Sequence, residues 1–276
     1  MVVRRLRIVC IPLCYACFIF SSLFSFHMAT TQRIALVTGA NKGIGLETAR
    51  GLAQQGIHVL MGSRSIERGQ ASADALKADG LSVECIKLDM ADSTDFPRVK
   101  EYIETTFGKL DILVNNAGIM IEAEHFGFPN NTTTIPMHLL RETFDVNFFG
   151  LVELTQLLLP LIRISEAGRI VNLTSILGSL TLHATPGSPI YQTKLLAYNT
   201  TKTAVNAFTI HLAHALKDTS IKVNAAHPGW VKTDMGGKDI APMEVQDGAR
   251  TSIQLATLGA DGPSGAYIHL DEQLPW

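Results

Sequence analysis

The stretch IALVTGANKGIGL, residues 34–46, decides the fold. Its first five residues form an unbroken apolar, β-branched run of the kind a strand buried on both faces requires. Three glycines follow, Gly39, Gly43 and Gly45, and from Leu46 the chain takes up a helical period. Alone, a glycine triplet is an ordinary turn. Between a strand and a helix it is a place where backbone N–H groups and the positive end of a helix dipole can meet a pyrophosphate. The spacing here, G-x-x-x-G-x-G, is wider than the G-x-G-x-x-G dinucleotide fingerprint. Asn41, Lys42 and Ile44 complete this candidate dinucleotide loop.

Further runs of the same kind recur along the chain: IHVLMG, VECIKLD, DILVNN, RIVNLTS, IKVNAAH and AYIHL, each separated by a segment of helical period. Strands alternating with helices imply βαβ units, hence an α/β Rossmann-type doubly wound parallel sheet. No repeat, low-complexity tract or Pro/Ser-rich linker divides residues 28–276, and 276 residues fit one large domain. Two stretches rich in turn formers, residues 122–136 and 180–192, are long enough to shape a site.

With 23 basic and 25 acidic residues, the net charge of -2 carries no footprint for nucleic acid, and a small-molecule partner is expected. The nine histidines show no paired ligand spacing, so no metal is expected, and His58, His211 and His214 read as packing or surface residues. Of four cysteines, only Cys85 lies outside the N-terminal apolar run, which suits a reducing, cytoplasmic compartment.

That run, Ile8–Phe24, follows Arg4, Arg5 and Arg7. Residues 1–27 accordingly read as a dispensable leader or over-extended start, as a membrane anchor through residues 8–24, or as a secretory signal. Sequons at Asn130, Asn131, Asn172 and Asn199 weigh weakly against a lumenal body, since a glycan on Asn199 would sit inside YNTTK, residues 198–202.

The second strand ends in Ser63 and Arg64, where an acidic residue would grip the ribose of NAD. An arginine fork instead suits a 2′-phosphate, with Lys42 as a second cation, so NADP(H) is expected over NAD(H). The alternative is two solvated surface cations.

TGANKGIG, Asp89 in KLDM, NNAG at residues 115–118, Asn147 in FDVN, Ser175 in IVNLTS, YNTTK and PGWVKT at residues 228–233 occur in one order. In that order they resemble the short-chain dehydrogenase/reductase superfamily, over nearly all of the chain from Arg33 on. The basic pair and the segments PGWVKTDM and LPW are similar to its NADP-preferring carbonyl reductases. The resemblance implies that Asp89 accepts from the adenine amino group, that Asn116 and Gly118 line the cofactor cleft, and that Thr233 fixes the nicotinamide amide. By the same resemblance Gly39, Asn41, Lys42, Gly43, Ile44, Gly45, Arg64, Met90, Ala117, Pro228, Gly229 and Val231 also border the cofactor, as do Tyr198 and Lys202.

Reducing a carbonyl takes a hydride, a proton and donors that hold the carbonyl oxygen. Tyr198 and Lys202 are four apart, on one face of a helix continuing through TAVNAFTIHLAHAL, so the ammonium can favour phenolate and lower the tyrosine pKa toward working pH. Tyr191 and Lys194 offer a rival pair three apart, in a segment following Pro186, Gly187 and Pro189. Family spacing, Y-x-x-x-K, selects Tyr198. The resemblance further implies that Ser175 hydrogen-bonds the substrate oxygen and that Asn147 holds a water relaying protons to Lys202. Each is bland alone: Ser175 as a strand-end hydroxyl, Asn147 as a helix residue, Asn115 and Asn116 as a turn. Tyr191, Met120, Ile176 and Trp230 are candidate substrate contacts, or equally core.

The expectation is an NADPH-dependent reductase of ketones or aldehydes, reversible toward the alcohol. A membrane-tethered steroid or retinol-type dehydrogenase and a non-catalytic nicotinamide-binding sensor are the alternatives. The 23 positions from Ser175 to Tyr198 exceed the usual family gap, which leaves monomer or homodimer undecided.

Overall fold

The computed structural model describes residues 32–122, 132–238 and 240–276. Residues 1–27 with their cysteines and apolar run, and the sequons at Asn130 and Asn131, lie outside the described residues, as does most of the loop expected at residues 122–136. In chain order the elements are β1 (Ile34–Thr38), α1 (Gly43–Ala53), β2 (His58–Ser63), α2 (Ile66–Ala78), β3 (Val83–Lys87), α3 (Asp95–Thr106) and β4 (Ile112–Asn115). Then come α4 (Met137–Phe144), a π-helical turn (Asp145–Phe149), α5 (Gly150–Ile162), β5 (Arg169–Leu173), a 3-10 turn (Ile176–Gly178) and α6 (Leu180–Ala184). The chain closes with α7 (Leu196–Ala215), β6 (Lys222–Ala226), α8 (Val245–Ala256), β7 (Tyr267–His269) and β8 (Glu272–Gln273).

All strands pair into one sheet in the order β3-β2-β1-β4-β5-β6-β7-β8, parallel except for the last pair. The doubly wound reading of the apolar runs therefore stands, and the antiparallel β8, too short to leave a periodic signal, is an addition. Strand β1 shows why both faces must be covered. Ile34 and Leu36 enter a core with Phe96, Leu154 and Leu158 on one face, while Ala35 and Val37 meet Ala49, Leu52 and Leu255 on the other. The chain reverses direction across the sheet between β1 and β4, and such a switch point opens a crevice beyond the strand C-termini. Residues 180–192, expected as a loop, contain the short helix α6.

A polar chain crosses this interior. Asn115 Nδ2 donates to Thr155 Oγ1 and to Asn172 Oδ1, each at 2.9 Å, and Asn172 Nδ2 donates to Thr209 Oγ1 at 2.9 Å. Asn115 is thus a buried strand residue tying β4 to β5 and α5, rather than part of a turn. The same burial leaves no room for a glycan at Asn172.

Candidate active site

Sterics impose the glycine loop. Gly39 and Gly43 have φ of +65° and +58°, the left-handed region that side chains other than glycine rarely adopt. A Cβ at Gly45 would lie 2.4 Å from Asn116 Nδ2 and 2.5 Å from Gly39 O. Asn116 closes the loop against β4: its side-chain amide donates to Thr38 O at 2.8 Å and Gly39 O at 3.2 Å, and the Asn116 and Ala117 N–H groups donate to Thr38 Oγ1. Lys42, at the N-cap of α1, supplies no side-chain cap, and the first turn holds no acidic residue. Backbone donors at a helix N-terminus beside a cradle that excludes Cβ atoms fit a phosphate-bearing cofactor.

Around this loop, the Asp89 N–H donates to Asp95 Oδ2 and the Asp89 carboxylate accepts from Ala91 N–H. Met90 is buried, with its carbonyl 2.2 Å from where a Cβ on Gly150 would sit. Beyond β6, Gly229 has φ of +89°, Pro228 is partly buried and Val231 fully so, and Thr233 Oγ1 accepts from Gly236 N–H at 3.1 Å. The methyl of Thr233 lies 3.6 Å from a Cβ built on Gly43, so this segment and the glycine loop face one another across the crevice. Asn41 O accepts from Ser72 Oγ, and Ile44 is half-buried. Arg64 is exposed at the end of β2 and takes no part in the ion pairs found among the described residues. Lys42, expected beside it, instead reaches Asp234 at 2.5 Å in an exposed pair of the kind worth little.

The four expected catalytic residues come from three parts of the fold. Helix α7 carries Tyr198 and Lys202 on its inner face, with Lys202 Nζ 5.6 Å from the Tyr198 ring centroid and donating to Leu173 O at 2.8 Å. Ser175, just past β5, presents its hydroxyl to the Tyr198 phenol. The π-helical turn carries Asn147, and π-turns within helices are frequent at functional sites. Gly118 links the parts, because a Cβ there would lie 3.4 Å from Asn147 Oδ1 and 3.6 Å from Lys202 Nζ. Among the rivals, Tyr191 lies in a turn with Lys194 Nζ 4.9 Å above its ring, and Lys194 also donates to His183 O.

One expectation is corrected here. Burial pushes the Tyr198 phenol up to about 12, against the Ser175 hydrogen bond, and pulls Lys202 down to about 8. Desolvation opposes the charged form of each group, so Tyr198 stays a protonated phenol through neutral pH rather than approaching phenolate. In the Asn147 side chain, Oδ1 accepts from Ile119 N–H at 2.7 Å, and Nδ2 donates to Ile119 O at 2.9 Å and Thr201 Oγ1 at 3.2 Å. It ties the segment after β4 to α7.

Sequence reasoning missed a second layer. Tyr267 donates to Ser175 O at 2.6 Å. His227 Nδ1 accepts from Ile176 N–H at 3.2 Å and Gly229 N–H at 3.4 Å, and burial beside His269 lowers its pKa to about 3, so it serves as a neutral acceptor. Glu122, fully buried, accepts from Ala197 N–H at 3.1 Å and Tyr198 N–H at 2.6 Å. Its one sequence signal is negative: Leu195 stands at the N-cap of α7, where a capping side chain is expected.

A crevice at the switch point of a doubly wound sheet, with a glycine cradle on one side and a Tyr-Lys-Ser cluster on the other, defines a dinucleotide-binding α/β protein. The short chain dehydrogenase family profile matches residues 33–244, and the chain belongs to that family. It is 32% identical over 293 residues to carbonyl reductase [NADPH] 1 of Mus musculus, covering 90% of this chain and 100% of that protein. It is also 32% identical over 287 residues to (+)-neomenthol dehydrogenase of Arabidopsis thaliana, covering 86% and 96%. Among solved structures, salutaridine reductase from Papaver somniferum superposes with a TM-score of 0.72 at 28% identity, covering 87% and 100%.

Proposed function

We propose that the protein is an NADPH-dependent carbonyl reductase acting on a ketone or aldehyde and, in reverse, on the corresponding alcohol. The observation that carries this reading is the meeting of Tyr198, Ser175 and Lys202 at the C-terminal end of β5, across from the glycine loop. The names of the relatives support the reductase class, and the exposed Arg64 supports the phosphate-bearing form of the cofactor.

When bound, the dinucleotide would supply the hydride, held by the N-terminus of α1, Asn116, Asp89, Arg64 and Thr233. The substrate carbonyl oxygen lies between two hydroxyls. Ser175 donates a hydrogen bond to it, and Tyr198 donates its proton as negative charge develops there. A phenol held near 12 keeps that proton across neutral pH. Lys202, next to the ring, favours the phenolate that forms, so its charge is most useful in the transition state. Asn147 keeps the segment after β4 in register with α7.

Residues 28–276 make up the catalytic unit in this reading, and the cytosol is its compartment. The sequons at Asn172 and Asn199 carry no weight for or against that location, because both side chains are buried and hydrogen-bonded. The test is oxidation of NADPH or NADH by the purified protein across a panel of cyclic, aromatic and steroid ketones. NADPH turnover is expected, and dinucleotide binding without reduction of any carbonyl would favour a sensor instead.

A further inference from the structure

Helix α7 begins without a cap of its own. Leu195 occupies the N-cap and offers no side-chain acceptor, although the N–H groups of the first turn need partners. The acceptor arrives from a point 75 residues earlier in the chain, where each oxygen of the buried Glu122 carboxylate takes one N–H: Oε2 from Ala197 and Oε1 from Tyr198 itself. A carboxylate at the positive end of a 20-residue helix has favourable electrostatics as well as two charge-assisted bonds. Three residues before Glu122, Ile119 is clamped by the Asn147 amide through both its N–H and its carbonyl. The segment Ile119–Glu122 is therefore fastened at one end to the π-turn and at the other to the backbone of the tyrosine.

We propose that Glu122 is a positioning residue for Tyr198, fixing the backbone from which the phenol reaches the carbonyl oxygen; this rests on the reductase reading above. The Tyr198 side chain starts two bonds from the backbone nitrogen that Glu122 holds at 2.6 Å, so freeing the first turn of α7 displaces the phenol while Lys202, one turn deeper and anchored to Leu173 O, stays in place. Transition states are sensitive to such misplacement. Glutamine at this position keeps the shape but turns an NH2 group toward one of the two N–H donors, whereas aspartate keeps the charge on a shorter arm.

The experiment uses the full-length chain with Glu122→Gln and Glu122→Asp. In the Gln variant kcat for ketone reduction is expected to fall about 10- to 100-fold, while the Kd for NADPH and the KM for the ketone stay within about twofold. The Asp variant should fall between Gln and wild type. The primary isotope effect with 4,4-dideuterated NADPH should rise in the Gln variant, as misplaced chemistry becomes rate-limiting. Amide hydrogen exchange of the peptide spanning Leu195–Tyr198 should quicken in the Gln variant and that of the later turns of α7 should not, a readout independent of turnover. Unchanged exchange in that peptide, or unchanged kcat in an active enzyme, overturns the proposal. So does joint loss of turnover, NADPH binding and thermal stability in both variants, which would mark Glu122 as a folding residue only. A wild-type protein that reduces no carbonyl while its Glu122→Gln variant still shows the local change in exchange would tell against the reductase reading and not against the cap.

Discussion

Lys202 burdens the fold that carries it. Its ammonium is buried, makes no ion pair among the described residues, and has its pKa drawn from 10.5 to about 8 by desolvation alone. At about 1.4 kcal/mol per pKa unit, that displacement costs about 3 kcal/mol of stability at pH 7. Lys202→Met keeps the aliphatic stem and removes the charge, but it forfeits the bond to Leu173 O, which returns about 1–2 kcal/mol of that gain. The variant should therefore be more stable at pH 7 by about 1–2 kcal/mol, raising Tm by about 2–8 °C, while losing carbonyl turnover. The difference shrinks as pH rises. Between about 8 and 10.5 the folded wild type sheds a proton that the unfolded chain keeps, so wild-type stability rises with pH while the variant gains nothing from this site, and its advantage vanishes toward pH 10. The Tyr198 phenol, raised by burial to about 12 beside Lys202 and only raised further without that cation, stays protonated at pH 9.5 in both folded proteins, as does the Tyr267 phenol, so neither changes the difference over this range. Chemical denaturation of both proteins at pH 7 and pH 9.5 is the assay. A variant less stable than wild type at pH 7, or a difference that does not change with pH, would refute the reasoning.

Four further outcomes follow from the same geometry. Gly45→Ala should weaken dinucleotide binding at least about tenfold, because its Cβ would overlap Asn116 Nδ2 and Gly39 O; fluorescence titration with NADPH measures this. Arg64→Asp should shift the ratio of kcat/KM for NADPH over NADH by at least about tenfold toward NADH, through loss of the guanidinium fork and introduction of a ribose acceptor. The reductive kcat/KM should be level below about pH 8 and decline above it as Lys202 loses its proton, with no acid limb from His227, which stays neutral down to about 3. Tyr191→Phe should leave kcat within about twofold of wild type, since Lys194 beside it is engaged by His183 and lies outside the Tyr198 cluster; steady-state kinetics decides.

The sheet was legible because its strands are buried on both faces and therefore spell continuous apolar runs, from IALVT at residues 34–38 to IKVNAAH at residues 221–227. The glycine loop was legible for a related reason: Gly39, Gly43 and Gly45 answer to backbone sterics that no other residue satisfies. Ser175, Tyr198 and Lys202 could be picked out only by their joint order, and the structure does bring them together. What the sequence could not show depends on burial and on contacts between distant segments. The direction of the Tyr198 shift is one case, since two groups four residues apart look like mutual stabilisers until both are desolvated. The partners of the Asn147 amide are another, since they lie 28 and 54 positions away at Ile119 and Thr201. Lys42 pairs with Asp234, 192 positions away. Glu122 caps a helix across a gap that no local pattern spans.

The central claim is that Tyr198 completes a hydride transfer to a carbonyl carbon. Its most direct test is a single turnover with 4,4-dideuterated NADPH and a ketone, followed by mass analysis of the product from wild type and from Tyr198→Phe. The account predicts deuterium on the carbinol carbon with wild type and no alcohol with the Phe variant, which should bind NADPH as before. Labelled alcohol at an undiminished rate from Tyr198→Phe, or alcohol without the label from wild type, would contradict it.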